Sequence, residues 1–485
     1  MKAARLSLKL LCLLSVWTPR ALALEADPSG ESFGPHRLQG LIGVFVLLGL
    51  AVLLSNNRRK IRWRLVLWGL ALQLLFAVAI LKTSPGKLVF DQARIAVVRI
   101  LDFTHEGAQF LFGDFYVARP DLYRTLAPSL EEQNSPLRGS VAVFELVDAD
   151  QDGLPDRDEA GQPVLSGPRP LGTILLFHVL PTIIFFSALM SLLYHLGLIQ
   201  IVVRAFAWLM SRTMGTSGAE SLSAAANIFV GQTEAPLVVR PYVSGMTLSE
   251  LNAVMVGGFC TIAGGVLALY MAFLGDAYAG HLIAATVMAA PVGLAVAKIL
   301  FPETESPETA GVVRAKLERR SSNVIDAIAI GALDGLKLTL NVAAMLLVFV
   351  AFMAMLNALL TALFDLKLAD IFGFVLAPLA WTMGVPWRDA GTFGDLLGTK
   401  ITINELVAYG KLMVMGPGEL SHHSKVIATY ALCGFANFAS IGIQIGGIGA
   451  IAPERRKDLA RLGLKAMAGG VIATCITASV AGMLY

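Results

Sequence analysis

The chain has 485 residues, of which 56% are hydrophobic and only 15% are charged, with a mean hydropathy of +0.68 and a formal net charge of +3. Soluble domains usually carry about 45–50% apolar and about 25% charged residues. This composition excludes a disordered chain, a nucleic-acid binder and almost any soluble enzyme, and it indicates a polytopic membrane protein. Cys12, Cys260, Cys433 and Cys475 lie in apolar runs without metal-binding spacing, so we expect them to be packing residues.

Residues 1–24 have the features of a signal peptide. Lys2 and Arg5 precede an apolar core, and small residues follow at Ala21 and Ala23. An uncleaved first helix is the alternative interpretation. In both cases we expect the segment that follows to lie outside the cell.

About eight apolar stretches are long enough to cross a bilayer. They lie at residues 39–55, 65–82, 171–197, 251–275, 280–300, 337–363, 424–448 and 464–484. The positive-inside rule places the Arg- and Lys-rich loops at 58–64 and 455–461 in the cytoplasm. The first two spans and an interfacial stretch occupy residues 25–115, and the core of the protein occupies residues 171–485.

A hydrophilic insertion at residues 116–170 lies between these two parts, and we expect it outside. Residues 148–159 fit the template of a calcium loop, with carboxylates at alternate positions, then a glycine, and a final glutamate. The candidate calcium ligands are Asp148, Asp150, Asp152, Leu154, Asp156 and Glu159. Pro155 departs from the usual branched residue, and an acidic solvated turn is the alternative. If the loop binds calcium, we expect a structural role.

Two apolar segments, residues 217–242 and 391–418, are too interrupted to span a membrane. The first is broken at residues 231–236 (GQTEAP) and the second by Asn404 and Glu405. Two short apolar halves around a polar middle are typical of a helical hairpin that enters and leaves by one face. An ionisable residue at membrane depth costs roughly 2.5–3.5 kcal/mol on insertion scales, so such residues usually have a function.

Each hairpin is followed by an apolar helix that also breaks in its middle, at residues 261–265 (TIAGG) and 433–442 (CGFANFASIG). The charge pattern indicates that the first hairpin enters from the cytoplasm and the second from outside. This opposite orientation predicts an inverted-topology repeat. Secondary transporters hold substrates and coupling ions at such breaks. We therefore predict an all-α membrane transporter with two re-entrant hairpins. The alternative is that Glu234 and Glu405 are purely structural carboxylates.

Long stretches at the hairpins and breaks carry a specific resemblance. They read NIFVGQTEAPLVVRPY at 227–242, KITINELVAY at 400–409 and IATYALCGFANFASIGIQIGGIGAIAPERRKDLARLGLKA at 427–466. These stretches resemble the concentrative nucleoside transporters of the bacterial sodium-coupled type. The resemblance implies import of nucleosides (the uridine, adenosine and cytidine class) with sodium through alternating access. It also implies a homotrimer in the inner (plasma) membrane and no enzymatic activity.

The resemblance also implies roles for individual residues. The implied nucleoside-binding residues are Gln232, Thr233, Glu234, Val266, Glu405, Phe435, Asn437 and Ser440. One sodium would be bound by the side chains of Asn227 and Thr261 and by the carbonyls of Val230 and Ile262. Some relatives have serine in place of Thr261, and either residue supplies a hydroxyl oxygen, the kind of ligand that a hard cation prefers.

Three alternatives stay open at this stage. Proton coupling is the first, although the tip sequence GQTEAP follows the sodium pattern and proton-driven relatives carry GQSEN. A non-transporting nucleoside receptor, or a channel on the same scaffold, is the second. An intramembrane hydrolase using Glu234 and Glu405 is the third. It is disfavoured because the chain has no HExxH motif and its GxSxG string, at residues 30–34, lies outside the predicted membrane segments.

Overall fold

The computed structural model describes residues 36–83, 180–310 and 321–485 apart from residues 275 and 417, together with scattered positions between 84 and 111 and the segments 142–143 and 169–170. These residues are α-helical apart from short 3-10 turns and one small strand pair, which confirms the all-α fold. The elements in chain order are α1 (His36–Leu53), α2 (Trp63–Lys82), β1 (Ala142–Val143), β2 (Arg169–Pro170), α3 (Leu180–His195), α4 (Leu198–Met214), α5 (Gly218–Ala226), α6 (Arg240–Val243), α7 (Leu248–Cys260), α8 (Gly264–Leu274), α9 (Asp276–Leu300), α10 (Val324–Phe364), α11 (Leu368–Thr382), α12 (Trp387–Thr402), α13 (Glu405–Val414), α14 (His422–Leu432), α15 (Phe438–Ile451) and α16 (Arg456–Leu484).

Two of the sequence-based predictions lie outside the described residues. They are the signal peptide at 1–24 and the candidate calcium loop at 148–159. On either side of that loop, β1 and β2 pair antiparallel, with Ala142 opposite Pro170 and Val143 opposite Arg169. The strand pair therefore brings the two ends of segment 144–168 together.

By helix length and composition, the expectation of about eight spans is met in part. Within the described residues, three helices are long and apolar enough to cross a membrane, or up to five if each of two bent pairs counts as one span. The bent pairs are α3 with α4, at 76°, and α11 with α12, at 117°. Two of the predicted spans are the helices predicted to break in their middle. Residues 251–275 divide into α7 and α8, and residues 424–448 divide into α14 and α15, so neither is one continuous helix.

Both predicted hairpins are present as pairs of short helices. α4 ends at Gly215, whose φ of 70° favours glycine, and the first hairpin then begins at Ser217. Ser217 and Glu220 form a capping box, in which each side chain accepts the backbone N–H of the other residue. The second hairpin consists of α12 and α13, so it begins and ends four residues earlier than predicted.

The C-terminal helix α16 organises the core. It packs along α1, α7, α9 and α14, so both broken helices rest on one continuous helix. Gly470 permits this close approach, since a Cβ there would fall against the Phe259 side chain. By contrast, α10 exposes a row of large apolar side chains, including Leu347 at 74% and Phe352 at 58%. An exposed apolar helix face of this kind is expected for a surface in contact with lipid.

Candidate functional site

The two hairpin tips and the two helix breaks meet in one place. At the first break, the Gly264 N–H donates to the Phe229 carbonyl of the first hairpin over 3.2 Å. The two breaks touch where the Phe435 N–H donates to the Thr261 carbonyl over 3.4 Å. Four elements that lie far apart in the sequence therefore enclose a common polar site in an otherwise apolar helical core.

Glu405 is the most firmly held of the predicted site residues. It is the first residue of α13, capped by Asn404, and it is only 5% exposed. Its Oε1 accepts a 2.7 Å hydrogen bond from the Tyr270 hydroxyl, and its Oε2 accepts a 2.9 Å bond from Asn437 Nδ2. Asn437 is also the N-cap of α15. The carboxylate thus lies at the amino ends of two short helices, where their dipoles stabilise negative charge.

Gln232 links the first hairpin to the second broken helix. Its Nε2 donates to Ser440 Oγ over 3.3 Å, and its Oε1 accepts from Gln444 Nε2 over 3.0 Å. Gly258 makes room for this arrangement, because a Cβ there would lie 2.8 Å from the Gln232 Cβ. Both ends of the Gln232 amide are therefore oriented by α15, with one edge at the site.

Thr233 and Glu234 are held less tightly than Gln232. Thr233 is half-buried, and its hydroxyl donates to Glu234 Oε1 over 3.0 Å. The Glu234 side chain is exposed, unlike that of Glu405, although the sequence treats the two carboxylates as a matched pair. The structure therefore separates a buried, oriented carboxylate from one that is accessible at the hairpin tip.

The two apolar residues of the predicted site differ in exposure. Val266 on α8 is 4% exposed, whereas Phe435, between α14 and α15, is half-buried. The Phe435 backbone belongs to the contact between the two breaks. The backbone of Phe435 is therefore anchored, while its side chain stays partly accessible.

The four predicted sodium ligands lie between the first hairpin and the first break. Asn227 follows α5 directly and is 1% exposed, and neither Oδ1 nor Nδ2 has a hydrogen-bond partner within the described residues. A Cβ on Gly257 would lie 3.1 Å from Asn227 Nδ2, so the amide rests against the last turn of α7. Thr261 is the C-cap residue directly after that helix, and its hydroxyl donates to the Gly257 carbonyl over 2.8 Å.

An unpaired buried amide is a costly feature, because it has lost water without gaining a partner. The Asn227 carbonyl oxygen and the Thr261 hydroxyl oxygen are both ligands of the type that sodium prefers. Val230, three positions after Asn227, is half-buried, and Ile262, directly after Thr261, is 1% exposed. The donor set therefore fits a small hard cation.

Sequence reasoning missed three polar residues that complete the site. They are Tyr270, Gln444 and Lys400, each of which is fully buried. Each is a polar side chain within an apolar or half-apolar helix, and that could have marked them. The part of the chain that the structure describes contains no cluster of three or more His, Cys, Asp or Glu side chains suited to a metal ion.

Comparisons with known proteins match nearly the whole core. Residues 42–115 match the family model described as the N-terminus of Na+ dependent nucleoside transporters, and residues 281–482 match the model of their C-terminus. Residues 176–277 match a model described as nucleoside recognition. An uncharacterised transporter of Haemophilus influenzae is 41% identical over 462 residues, covering 92% of this chain and 97% of the relative.

The chain belongs to the concentrative nucleoside transporter family. Sodium/nucleoside cotransporter 1 of Mus musculus is 37% identical over 504 residues, which cover 97% of this chain and 68% of that protein. Among solved structures, CNTnw in an inward-facing substrate-bound state matches with a TM-score of 0.78 and 38% identity, over 93% of this chain and 98% of CNTnw. A substituted form of CNTnw in an outward-facing state matches with a TM-score of 0.77 and 37% identity.

Membership of the family determines the broad class of activity. The protein is a membrane transporter of the nucleoside transporter family and not an enzyme. The intramembrane hydrolase alternative is thereby wrong. The buried polar groups described above lie at the crossing of discontinuous helices, the kind of place where secondary transporters hold substrates and coupling ions.

Proposed function

We propose that the protein imports nucleosides by symport with sodium through alternating access. The single observation that carries this proposal is the juxtaposition of two polar sites across one contact. The unpaired Asn227 amide lies against Gly257, whose carbonyl accepts the Thr261 hydroxyl. The Thr261 carbonyl in turn accepts the Phe435 N–H, next to the Glu405–Asn437 pair. A cation site and a hydroxyl-binding site thus share the same pair of helix breaks.

Ribose is the natural ligand of the Glu405 side of the site. Ribose hydroxyls are donors and acceptors, and Glu405, Asn437 and Ser440 offer a carboxylate, an amide and a hydroxyl in buried positions. Buried polar groups left unpaired cost about 1–3 kcal/mol each, so a ligand without these hydroxyls would bind much more weakly. Phe435 would pack beside the sugar.

The nucleobase would lie at the tip of the first hairpin. Gln232 presents an oriented amide, while Thr233 and Glu234 add a hydroxyl and an accessible carboxylate. Paired donors and acceptors of this kind can read the edge of a base, and the buried Val266 would pack on its face. A purine or a pyrimidine could satisfy these groups.

Sodium would couple to the nucleoside through the first hairpin. Gln232 lies only five positions after Asn227, so a cation that orders the Asn227–Val230 segment also prepares Gln232 for the base. A ligand shifts a conformational equilibrium only through its different affinities for the two states. The inward-facing, intermediate and outward-facing states solved for CNTnw support a cycle in which the site alternates between the two sides.

Further features of the protein belong to the same proposal. They are a homotrimeric assembly in the plasma (inner) membrane and a signal peptide at residues 1–24. The insertion at 116–170 would lie outside and bind calcium at residues 148–159 in a structural role.

Uptake by proteoliposomes tests the proposed function directly. We expect radiolabelled uridine or adenosine to accumulate above the external concentration when an inward sodium gradient is imposed. A proton gradient alone serves as the matched condition. Accumulation driven only by protons would remove the sodium site from the proposal, and equilibration without accumulation would indicate a channel. Binding without any movement of nucleoside would indicate a receptor.

The variant Tyr270→Phe tests whether Glu405 is the ribose ligand. It removes only the hydroxyl that donates to Glu405 Oε1 over 2.7 Å, and the ring can keep its place 4.6 Å from that of Tyr409. Since a hydrogen bond to a charged group contributes about 1.5–3 kcal/mol, we expect KM for uridine to rise about tenfold or more. The measurement is initial uptake at saturating sodium. An unchanged KM would argue against this role of Glu405.

A further inference from the structure

A buried lysine lies at the second helix break. Lys400 is in the last turn of α12 and is 0% exposed. Its Nζ donates to the Ala431 carbonyl over 2.7 Å and to Thr474 Oγ1 of α16 over 2.9 Å. No described carboxylate lies within 4.0 Å of that nitrogen. Lys298 and Lys411, in contrast, each form an ion pair, with Glu220 at 2.6 Å and Asp395 at 3.0 Å.

The end of α14 supplies partial negative charge in direct contact with Lys400, whose charge also interacts at longer range with the Glu405 carboxylate. The helix ends at Leu432, and the N–H that would continue it at Phe435 donates to Thr261 instead. The Ala431 carbonyl is therefore one of the terminal carbonyls that carry the negative end of the helix dipole. Since a buried ammonium is costly unless its donors are satisfied, this helix end is a suitable place for it.

The corresponding place in the first repeat holds no protein cation within the described residues. There α7 ends at Cys260, and the first hairpin sends Asn227 against its last turn. Asn227 is neutral, and its side-chain amide atoms have no hydrogen-bond partner among the described residues. In both repeats, a side chain from the first half of the hairpin thus reaches the C-terminal end of the first half of the broken helix. In the second repeat that side chain is itself the cation.

We propose that the Lys400 ammonium is a tethered cation that takes, in the second repeat, the place that the coupling sodium takes in the first. It is a positioning residue: it holds the second hairpin, and with it Glu405, on the end of α14 and on α16. The inference rests on the proposed sodium site. Because a covalent cation never leaves, only the first hairpin depends on an ion, and the carrier couples each nucleoside to one sodium.

The test compares the wild type with Lys400→Ser, Lys400→Gln and Lys411→Met as full-length protein. Lys411 is the matched control, since it belongs to the same hairpin but is paired with Asp395. Two quantities are measured: the melting temperature in sodium chloride against choline chloride, and the sodium dependence of uridine uptake. The serine variant opens space and supplies a hydroxyl, whereas glutamine keeps a donor without the charge.

We expect Lys400→Ser to melt at a lower temperature in choline and to regain stability in sodium more steeply than the wild type. The Hill coefficient of its uptake for sodium should rise from about one to about two, because a second ion now fills the vacated place. Lys400→Gln should lower uptake about tenfold without a change in this coefficient. Lys411→Met should leave the sodium dependence unchanged.

Three results would overturn the tethered cation. They are wild-type uptake in Lys400→Gln, unchanged sodium cooperativity in folded Lys400→Ser, and an equal change of sodium dependence in Lys411→Met. If the serine variant is not recovered folded, the glutamine variant decides alone. If the wild type neither takes up uridine nor is stabilised by sodium, the proposed function fails. The melting temperatures of Lys400→Ser in sodium and choline still test Lys400, because stability requires no transport.

Discussion

Replacing Glu405 with glutamine should lower kcat/KM for uridine by about 100-fold or more. Glutamine keeps the shape of the side chain but turns one oxygen into an NH2 group. That group must then face either the Tyr270 hydroxyl or Asn437 Nδ2, both of which donate to the carboxylate. The new NH2 group meets a second donor if it faces Asn437, and it forces the Tyr270 hydroxyl to accept instead of donate if it faces Tyr270. In both cases the substitution also removes the charge-assisted acceptor proposed for the ribose. Initial uptake rates in proteoliposomes measure the effect.

Glu419→Gln is the matched control for this variant. Glu419 follows the same hairpin and is exposed, and its Oε1 accepts only the Gly416 N–H, over 3.0 Å, in the contacts that the structure describes. We expect uptake within about twofold of the wild type, since changes at exposed positions rarely exceed about 0.5 kcal/mol. Comparable losses in both variants, or uptake by Glu405→Gln close to that of the wild type, would contradict the assigned role of Glu405.

Replacing Asn227 with alanine should weaken the apparent affinity for sodium by about tenfold or more, while uptake at saturating sodium changes by less than about threefold. The reason is that the Asn227 side chain makes no protein hydrogen bond that the structure describes, so its removal costs little apart from a cation ligand. The sodium dependence of uridine uptake at fixed nucleoside concentration measures the two quantities separately.

Asn252→Ala controls for the loss of a buried asparagine. Asn252 lies on α7 and is 0% exposed, but its Nδ2 donates to the Ala297 carbonyl over 3.1 Å. Its loss should lower the melting temperature and leave the sodium dependence of uptake unchanged. If Asn227→Ala behaves in the same way, Asn227 is a structural residue and the sodium site must be sought elsewhere.

The different settings of Glu234 and Glu405 bear on substrate selection. Glu405 is oriented by Tyr270 and Asn437 before any ligand arrives, whereas Glu234 is exposed and bonded to its neighbour Thr233. A preorganised group discriminates strongly, because its partners cannot adapt to a ligand that lacks the matching hydroxyl. We therefore expect strict selection at the sugar and broader acceptance at the base.

The main elements of the fold could be predicted because membrane depth restricts the backbone so strongly. A stretch such as GQTEAP cannot lie in a lipid-exposed helix, so the interruption alone predicts a hairpin buried in protein. The helices α4 and α11 escaped prediction because each is short and joined to a neighbour at a sharp bend, so neither reads as a span of its own. A broken helix and a continuous one have similar hydropathy, so the sequence alone marks both as spans.

What the sequence by itself determined is therefore the class of protein, the two hairpins, the two helix breaks and the family, because these depend on local polarity and on long specific stretches. Only the tertiary structure decided which polar groups meet. Tyr270 bonds to Glu405 across 135 residues, and Gln444 bonds to Gln232 across 212. Such pairs leave no local pattern, since each partner is one polar residue on a separate helix. Direct packing of α8 on α13 brings the first pair together, and packing of α14 against α16 buries Lys400 at the end of α14.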